Sequence, residues 1–400
     1  NLGAYGGTGV SSLSQTNPWL LAVSLNDGGI IRGTVTVYWV AGAMPTNATL
    51  RVEQAADGVD YSVFASNIPV SRSTSRWDVS GIDYTKNARW RVVYEQDPAI
   101  WDECDQPLTI KNATLIIFVN DSDQTGDVYC NAVGSCTNTG RSADDPLCDP
   151  GLALQRYVLG PEDVVYIDTG TYTLTNSEGM VVGLVGSDPE EGATNAPIRI
   201  IGSTNHLAGG SLVIGTYATN AYGLHVQDSK FVEVEHLKFT GAGNGVVVDR
   251  SLHVAFSNVW SYANQMNGFW LAKSTPVRMA HCASWNNGLD GVLGDKETTV
   301  YWDQGVIWSN GLSAVGLSGA SAIVSNSVMQ MSVTNRYVIR VSDIASSYSG
   351  DYNFLWAEGG AMLGFDGANQ ISYITLAQWQ NSHNIDEHSA VLDPRMYDPG

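Results

Sequence analysis

The chain has 400 residues and a formal net charge of −20, with 40 acidic against 20 basic side chains. This acidity disfavours nucleic acid as a partner, because phosphate backbones are bound through Lys and Arg. No stretch of about eighteen consecutive apolar residues occurs, so the sequence predicts no membrane-spanning helix. Charged residues make up 15% of the chain, whereas 42 Gly and 18 Tyr are present. That composition favours strands and tight turns over helices, and the length favours two domains.

The first part of the chain has the pattern of an all-β domain. Apolar and polar residues alternate over residues 34–40, which predicts Val35, Val37 and Trp39 on one face of a strand. Further short strand patterns follow up to residue 114, separated by turn residues. We therefore predict the tail of a preceding unit, or a linker, over residues 1–18. An immunoglobulin-like or fibronectin-III-like β-sandwich is predicted over residues 19–114.

Four of the five cysteines cluster in polar sequence, namely Cys104, Cys130, Cys136 and Cys148. Their spacing does not match a zinc motif, so we expect two disulfides and an oxidising compartment. Four cysteines allow three pairings. Cys130–Cys136 closes a short loop and is the preferred pair, which leaves Cys104 with Cys148. Cys282 lies in a predicted strand and is expected to be a small core residue.

A repeat organises the second part of the chain. Gly245, Gly268 and Gly291 are 23 residues apart, and each follows Asn or Asp. Short runs of β-branched and aromatic residues lie between these turns. A repeat of this length built from short strands predicts a solenoid, because one coil cannot bury its apolar face alone. We predict a right-handed parallel β-helix over residues 115–400, with a short helix at 152–159 covering its open end.

Both ends of this region carry distinctive segments. The opening has Phe-Val-Asn, Gly-Asp-Val-Tyr and a Pro-Glu-Asp-Val-Val-Tyr-Ile-Asp-Thr-Gly-Thr-Tyr run; the close has Asp-Tyr-Asn-Phe-Leu-Trp, Thr-Leu-Ala-Gln-Trp-Gln and Asp-Pro. These segments lie at 118–120, 126–129, 161–172, 351–356, 375–380 and 393–394. They resemble the ends of bacterial secreted right-handed parallel β-helix proteins of the pectin-lyase-like kind. The resemblance implies the fold; that architecture includes polysaccharide lyases, glycosidases and non-enzymatic surface proteins.

The chain termini add an expectation about partners. In proteins of this resemblance, an Asp-Pro motif like 393–394 is followed by a closing Leu-Gly-Ala-Tyr-Gly-Gly segment, which here stands at residues 2–7. We therefore expect Leu2, Ala4 and Tyr5 to pack against a β-helix, either of an adjacent unit or of another copy, head to tail. Chance similarity in Gly-rich sequence is the alternative.

A polysaccharide lyase needs a basic residue that removes the proton beside a uronate carboxylate. It also needs acidic groups that hold Ca²⁺ against that carboxylate. The densest such group in the sequence is Asp290, Asp295, Lys296, Glu297 and Asp303, with Arg278 nearby. Solvated residues at equivalent turns explain the same pattern, and Ca²⁺ is a cofactor of this alternative only.

An inverting glycosidase needs two carboxyl groups about 6.5–9.5 Å apart. Asp290 with Asp295, or Glu235 with Asp249, are the pairs that the sequence offers. No adjacent Asp-Asp pair lies within the coils, so the sequence does not distinguish this chemistry from ordinary turn residues.

Tryptophans in the coils are candidates for sugar stacking, and aromatic stacks within the coils are the competing explanation. Trp285 and Trp308 are expected near turns and are the predicted glycan-binding residues. The repeated asparagines are expected to form turn or ladder hydrogen bonds rather than a catalytic site. They are Asn264, Asn267, Asn286, Asn287 and Asn310.

These patterns predict a structural unit of a large secreted bacterial cell-surface or filament-forming protein, with polysaccharide as an additional partner. The alternative is a polysaccharide lyase or glycosidase acting on an extracellular polysaccharide. Whether the chain is an enzyme stays open, with the non-enzymatic role favoured. An extracellular or cell-surface location is expected.

Overall fold

A computed structural model describes residues 17–185 and 188–394. The chain divides into two compact units: unit 1 comprises residues 1–113 and 185–188, and unit 2 comprises residues 114–184 and 189–400. The two short strands that begin at Leu184 and end at Pro189 are grouped below with unit 2. Within the described residues, no helix is both long enough and apolar enough to cross a membrane.

The described part of unit 1 contains nine strands. They are β1 (Trp19–Ala22), β2 (Ile30–Ile31), β3 (Thr34–Gly42), β4 (Thr49–Ala55), β5 (Ser62–Pro69), β6 (Thr74–Asp78), β7 (Thr85–Tyr94), β8 (Trp101–Glu103) and β9 (Leu108–Ile110). One sheet has the order β1-β3-β6, and the other has the order β2-β9-β7-β4-β5 with β8 paired to β7. Apart from the parallel β2–β9 pair, neighbouring strands in both sheets run antiparallel.

A single hydrophobic core joins the two sheets of unit 1. Val37 and Trp39 of β3 are buried against Trp90 of β7 and Leu50 of β4, all at most 1% exposed. Val35 is half-buried at the edge of that cluster. The predicted alternation in β3 is thus confirmed, whereas the immunoglobulin-like or fibronectin-III-like assignment stays a prediction.

Unit 2 consists of short strands with one helix near each end of its described part. The strands are β10 (Ile116–Val119), β11 (Val164–Ile167), β12 (Gly170–Thr173), β13 (Met180–Val182), β14 (Leu184–Val185), β15 (Asp188–Pro189), β16 (Ile198–Gly202), β17 (Ser211–Ile214), β18 (Tyr222–Gln227), β19 (Lys230–Glu235), β20 (Leu237–Thr240), β21 (Asn244–Asp249), β22 (Leu252–Ser257), β23 (Trp260–Tyr262), β24 (Phe269–Ala272), β25 (Val277–Ala280), β26 (Ala283–Trp285), β27 (Val292–Asp295), β28 (Thr299–Asp303), β29 (Val306–Trp308), β30 (Ser313–Ser318), β31 (Ser321–Ser325), β32 (Val328–Met331), β33 (Tyr337–Val341), β34 (Ser347–Asp351), β35 (Phe354–Ala357), β36 (Met362–Asp366) and β37 (Ile371–Tyr373). The helices are α1 (Pro150–Arg156) and α2 (Leu376–His383), and a 3-10 turn spans His206–Ala208.

Most of these strands form three long sheets, to which successive coils contribute one strand each. Sheet I has the order β10-β11-β16-β19-β22-β25-β28-β31-β34, sheet II has β12-β17-β20-β23-β26-β29-β32-β35, and sheet III has β13-β18-β21-β24-β27-β30-β33-β36-β37. Neighbours are parallel throughout except for the final antiparallel pair, β36 and β37. This is the predicted right-handed parallel β-helix.

The 23-residue spacing is the true coil repeat in the middle of unit 2. Val246, Phe269 and Val292 face one another in register on sheet III. The three repeating glycines come one residue earlier, so they hold equivalent positions on successive coils, as the spacing predicted. Glycine is needed there because a Cβ on Gly268 would collide with the hydroxyl of Ser284.

Stacked apolar side chains fill the interior of the coils. On sheet I one buried row is Val165, Ile200, Val234, Phe256, Met279, Trp302 and Val324. Trp302 is 1% exposed, so its indole is a core side chain. Each coil covers the apolar face of the next, as a solenoid requires.

Buried asparagines line the turns of the middle coils. Asn264 Nδ2 donates to Asn287 Oδ1 at 2.9 Å, and Asn287 Nδ2 donates to Asn310 Oδ1 at 3.0 Å. A parallel ladder joins Asn267 Nδ2 to Asn244 Oδ1 at 2.9 Å. The expectation of ladder hydrogen bonds is confirmed for these residues.

Helix α1 packs on β10 and β13, the first strands of sheets I and III. Its first turn is fixed by Asp149, which accepts from the Leu152 N–H at 2.7 Å, and by Pro150, a favoured first helical residue. Ala153 and Leu154 form its buried side. The predicted short helix therefore exists, two residues earlier at its start because the capping aspartate lies at 149.

The predicted disulfides are wrong. Cys136 and Cys148 are bonded, with a Cα–Cα distance of 4.9 Å. Cys104 is instead a buried residue in the core of unit 1. Cys130 is a buried thiol whose N–H donates to the Asp168 carboxylate at 2.6 Å. Asp168 thus holds Cys130 against the first coil, and the spacing of the cysteines in the sequence does not indicate this contact. Cys282 is buried, as expected.

Candidate functional site

Sheet I presents charged and aromatic side chains on the outside of the β-helix. Successive side chains of a strand point to opposite sides, so inward apolar residues alternate with outward ones. The first outward row is Arg199, Glu233, Ala255, Arg278 and Tyr301, and the second is Glu235, Ser257, Ala280 and Asp303. We call these nine residues the sheet I face.

One end of the sheet I face is an ion cluster. Arg199 Nη2 lies 2.7 Å from Glu235 Oε1, and Arg199 Nε lies 3.6 Å from Glu233 Oε2. The two carboxylates raise the pKa of Arg199, chiefly through the Glu235 hydrogen bond. Both acids are therefore ion-paired with the same guanidinium.

Small side chains form the middle of this face. Ser257 and Ala280 separate Glu235 from Asp303 in the second row. Neighbouring strands lie about 4.8 Å apart, so three steps place these two acids roughly 14 Å apart. That separation exceeds the about 6.5–9.5 Å that an inverting glycosidase needs.

Arg278 and Tyr301 lie side by side at the other end of the first row. They are register partners on β25 and β28, and the Arg278 guanidinium carbon lies 4.6 Å from the Tyr301 ring centre. Arg278 is exposed because its neighbours Val277 and Met279 point into the core. In the described parts of the chain, no carboxylate lies within ion-pair distance of Arg278. The face therefore offers a cation beside a phenol.

Asp290 belongs to a different part of the molecule. It lies just before β27 of sheet III, is 1% exposed, and its Oδ2 is 2.8 Å from Arg340 Nη2. The Ser313 hydroxyl also donates to it. Burial raises the pKa of Asp290, against the opposing effect of Arg340. This arrangement is a buried ion pair with no open side toward a substrate.

The other predicted catalytic residues occupy two further corners of the coil. Asp295 and Lys296 lie at the end of β27, with Nζ and Oδ2 4.0 Å apart. Asp303 ends β28 on sheet I, where it accepts from the Ser325 hydroxyl and the Asn326 amide at 2.8 Å each. The predicted catalytic residues are thus separated from one another in the structure. Of the four, only Asp303 lies on the sheet I face with Arg278.

The second glycosidase pair is also split. Glu235 ends β19 on sheet I, whereas Asp249 ends β21 on sheet III and forms an ion pair with Arg250. Arg250 binds Asp228 as well, at 2.7 Å. These two acids are thus assigned to separate ion clusters.

Trp285 and Trp308 belong to an aromatic stack on sheet II. Trp285 lies parallel to Tyr262 at 4.3 Å and to Trp308 at 4.5 Å between ring centres. Trp285 is 8% exposed, and both of its faces are covered by these rings. The aromatic-stack alternative describes this geometry, and a sugar could stack on Trp285 only by displacing a neighbouring ring.

A cavity of about 270 Å³ lies beneath α2. Its acids are already engaged: Asp366 accepts from Asn369 at 2.7 Å, and Asp343 accepts from the Ser346 hydroxyl at 2.9 Å. His383 Nε2 lies 4.0 Å from Asp366. The His383 contact joins α2 to the last coils.

Tyr301 is a site residue that the sequence reasoning missed. It follows Arg278 by one 23-residue repeat, the spacing that places two side chains next to each other on adjacent coils. The 23-residue spacing therefore predicts that Arg278 and Tyr301 are neighbours on adjacent coils.

The expected Ca²⁺ has no assigned site. Across residues 17–185 and 188–394, no three His, Cys, Asp or Glu side chains converge as a metal site requires. Calcium therefore stays a prediction, and the chemistry below uses protein side chains alone.

Neither a protein-family model nor a curated protein sequence matches the chain. Among solved structures, pectate lyase Pel9A is 15% identical, with 63% of this chain and 78% of that chain covered and a TM-score of 0.42. The periplasmic alginate epimerase AlgG is 15% identical, covering 64% and 56%, with a TM-score of 0.36. The A-module of the Azotobacter vinelandii mannuronan C-5 epimerase AlgE4 is 14% identical, covering 58% and 91%, with a TM-score of 0.23. The fold assignment rests on the strand pairing described above.

Proposed function

We propose that this chain is a polysaccharide lyase that acts on an extracellular polyuronate along the sheet I face. The observation that carries the proposal is the pairing of Arg278 with Tyr301. Arg278 is exposed, stacks beside a phenol and has no carboxylate partner in the described residues. An uncompensated guanidinium on an acidic protein is a natural site for a carboxylate ligand, which it binds through two parallel hydrogen bonds.

The proposed reaction is a β-elimination. Arg278 pairs with the uronate carboxylate and stabilises the negative charge that develops when the proton on the adjacent carbon, C5, is removed. Tyr301, as phenolate, takes that proton. The bond between C4 and the glycosidic oxygen then breaks, a C4–C5 double bond forms, and Tyr301 returns its proton to the departing oxygen.

The geometry favours elimination over hydrolysis. A glycosidase needs one free carboxylic acid and one carboxylate at a defined separation. On the sheet I face, Glu233 and Glu235 share Arg199, and Asp303 is about 14 Å from Glu235 by strand spacing. These acids suit binding of sugar hydroxyls at the two ends of the sheet I face.

The disulfide Cys136–Cys148 supports a location outside the cytosol, because such bonds persist in oxidising compartments. The structural-unit role predicted from the termini depends on Leu2, Ala4 and Tyr5. These residues lie outside the described residues, so head-to-tail assembly stays a prediction.

Incubation with polygalacturonate and with alginate tests the proposal. We expect unsaturated uronate ends, detected by ultraviolet absorbance and by product mass. Arg278→Ala should lower kcat/KM by about 10²–10³-fold, since it removes the group that stabilises developing charge. Tyr301→Phe should lower it by about 10²–10⁴-fold.

Arg336→Ala is the matched control, because Arg336 is also exposed but lies between β32 and β33, away from the face. It should retain the wild-type rate. Parallel assays with added Ca²⁺ and with a chelator determine whether the predicted cation is required. Saturated products only, no product from any polyuronate, or full activity in Arg278→Ala would overturn the proposal.

A further inference from the structure

Unit 1 carries an exposed aromatic and cationic cluster that the proposed reaction does not use. Trp101 on β8 is 47% exposed. The guanidinium of Arg91, on the adjacent strand β7, lies 5.4 Å from the Trp101 ring and 3.8 Å from the Tyr61 ring. Cation–aromatic contacts of this kind orient the guanidinium between the two rings.

A buried acid holds Arg91 in place. Glu53 is 5% exposed and accepts from Arg91 Nε at 2.6 Å through one oxygen. Its other oxygen accepts from Arg51 Nε at 2.6 Å. Only Nε of Arg91 is used in this way; within the described residues its terminal amino groups meet no acceptor. The fork of Arg91 is thus fixed from behind by Glu53, with its terminal donors uncommitted.

Tyr61 and Glu103 complete the cluster. The Tyr61 hydroxyl donates to Glu103 Oε2 at 2.5 Å, and Arg89 Nη1 lies 3.3 Å from Glu103 Oε1. Burial and the Glu103 contact hold the pKa of Tyr61 well above its ordinary value, so it stays a phenol. Glu103 is half-exposed and offers acceptor capacity beside the indole.

We infer that this cluster is a second carbohydrate site, for a uronate-bearing oligosaccharide. The sugar ring stacks on the open face of Trp101, and its carboxylate pairs with the terminal amino groups of Arg91. The choice of a uronate rests on the proposed function. A network that only stabilised the sheet would need the Glu53 and Glu103 ion pairs, but it would gain nothing from an indole that is nearly half in water.

Isothermal titration of the full chain with oligogalacturonate and with oligomannuronate tests the inference. The measurements use the Arg278→Ala chain, so that binding on the sheet I face is weakened and the two sites are distinguished. Trp101→Ala, added to that chain, should weaken the remaining binding of at least one of the two probes by about tenfold or more, since an aromatic contact and its buried area are lost.

Tyr38→Ala is the control, because Tyr38 is 48% exposed on β3 of the other sheet of unit 1. It should leave the affinity unchanged. Arg91→Lys keeps the charge but loses the fork, so it should reduce the preference for the uronate over a neutral cello-oligosaccharide. Circular dichroism checks that each variant is folded.

Three results would overturn the inference: no remaining oligouronate binding in the Arg278→Ala chain, equal affinities for Trp101→Ala and Tyr38→Ala, or equal affinities for acidic and neutral oligosaccharides. None of these results concerns product formation. The lyase proposal is therefore judged separately, by the unsaturated products of the otherwise unmodified chain.

Discussion

The surroundings of Asp127 change the pKa of its carboxyl group. Burial raises its pKa to about 6, and the nearby Asp168, Asp121 and Asp123 add to the shift, while a hydrogen bond from Asn120 opposes it. In an unfolded chain the same group titrates near 3.8. Between these values the folded state binds more protons than the unfolded state. The contribution of Asp127 to stability therefore falls as the pH rises through this window.

Asp127→Asn should consequently stabilise the protein at pH 7 relative to the wild type, and the difference should vanish at about pH 4 or below. Urea unfolding at both pH values measures this. Asp145→Asn is the control: hydrogen bonds from Thr139 lower the pKa of Asp145, so its replacement should give no gain at pH 7. A gain from Asp127→Asn that is the same at pH 4 and pH 7 would contradict the account.

At the scale of the coil, the asparagine ladder links one turn to the next. Asn287 is 2% exposed, accepts from the backbone N–H of Asn264 at 3.1 Å and donates to Ser284 Oγ at 3.1 Å. The Asn287 side-chain amide thus forms hydrogen bonds with the coils on both sides. Loss of one member leaves buried donors and acceptors unpaired in two coils.

Asn287→Ala should therefore lower the free energy of unfolding of unit 2 by about 1–3 kcal/mol, the cost of unpaired buried polar groups. Asn381→Ala, on the exposed side of α2, should change it by at most about 0.5 kcal/mol. Denaturant unfolding compares the two variants. Equal effects would show that the ladder contributes nothing beyond an ordinary surface amide.

The coil repeat could be predicted because it is a local property of the sequence. Residues 23 apart become neighbours wherever the coil length is constant, so Gly245 and Gly268, or Arg278 and Tyr301, can be paired from spacing alone. The sheet on which a residue lies could not be predicted in this way. Asp290 and Asp303 are close in sequence, but the path around the coil places them on different sheets.

The disulfide could not be predicted for a similar reason. Loop length favoured Cys130 with Cys136, yet three backbone N–H groups of residues 128–130 bind the buried carboxylate of Asp168. That contact spans about forty residues of sequence and fixes the position of Cys130. Long-range polar contacts of this type leave no periodic trace in the sequence.

For the whole molecule, we propose that the sheets before residue 114 and the β-helix after it are separate domains. Calorimetry should then show two unfolding transitions. Trp90 is fully buried in unit 1 and Trp302 is 1% exposed in unit 2. Each Trp→Ala change should cost about 3–5 kcal/mol and lower one transition only. A single transition that both variants lower equally would contradict two domains.

The central claim is that an acidic polysaccharide binds along the sheet I face and reacts beside Arg278 and Tyr301. A crystal structure of the Tyr301→Phe chain with an oligogalacturonate tests it most directly, because this variant should bind the ligand without cleaving it. The account predicts a uronate carboxylate within hydrogen-bonding distance of the Arg278 guanidinium, and the C5 carbon facing residue 301. An oligosaccharide bound on sheet II or sheet III, with the sheet I face empty at saturating ligand, would contradict it.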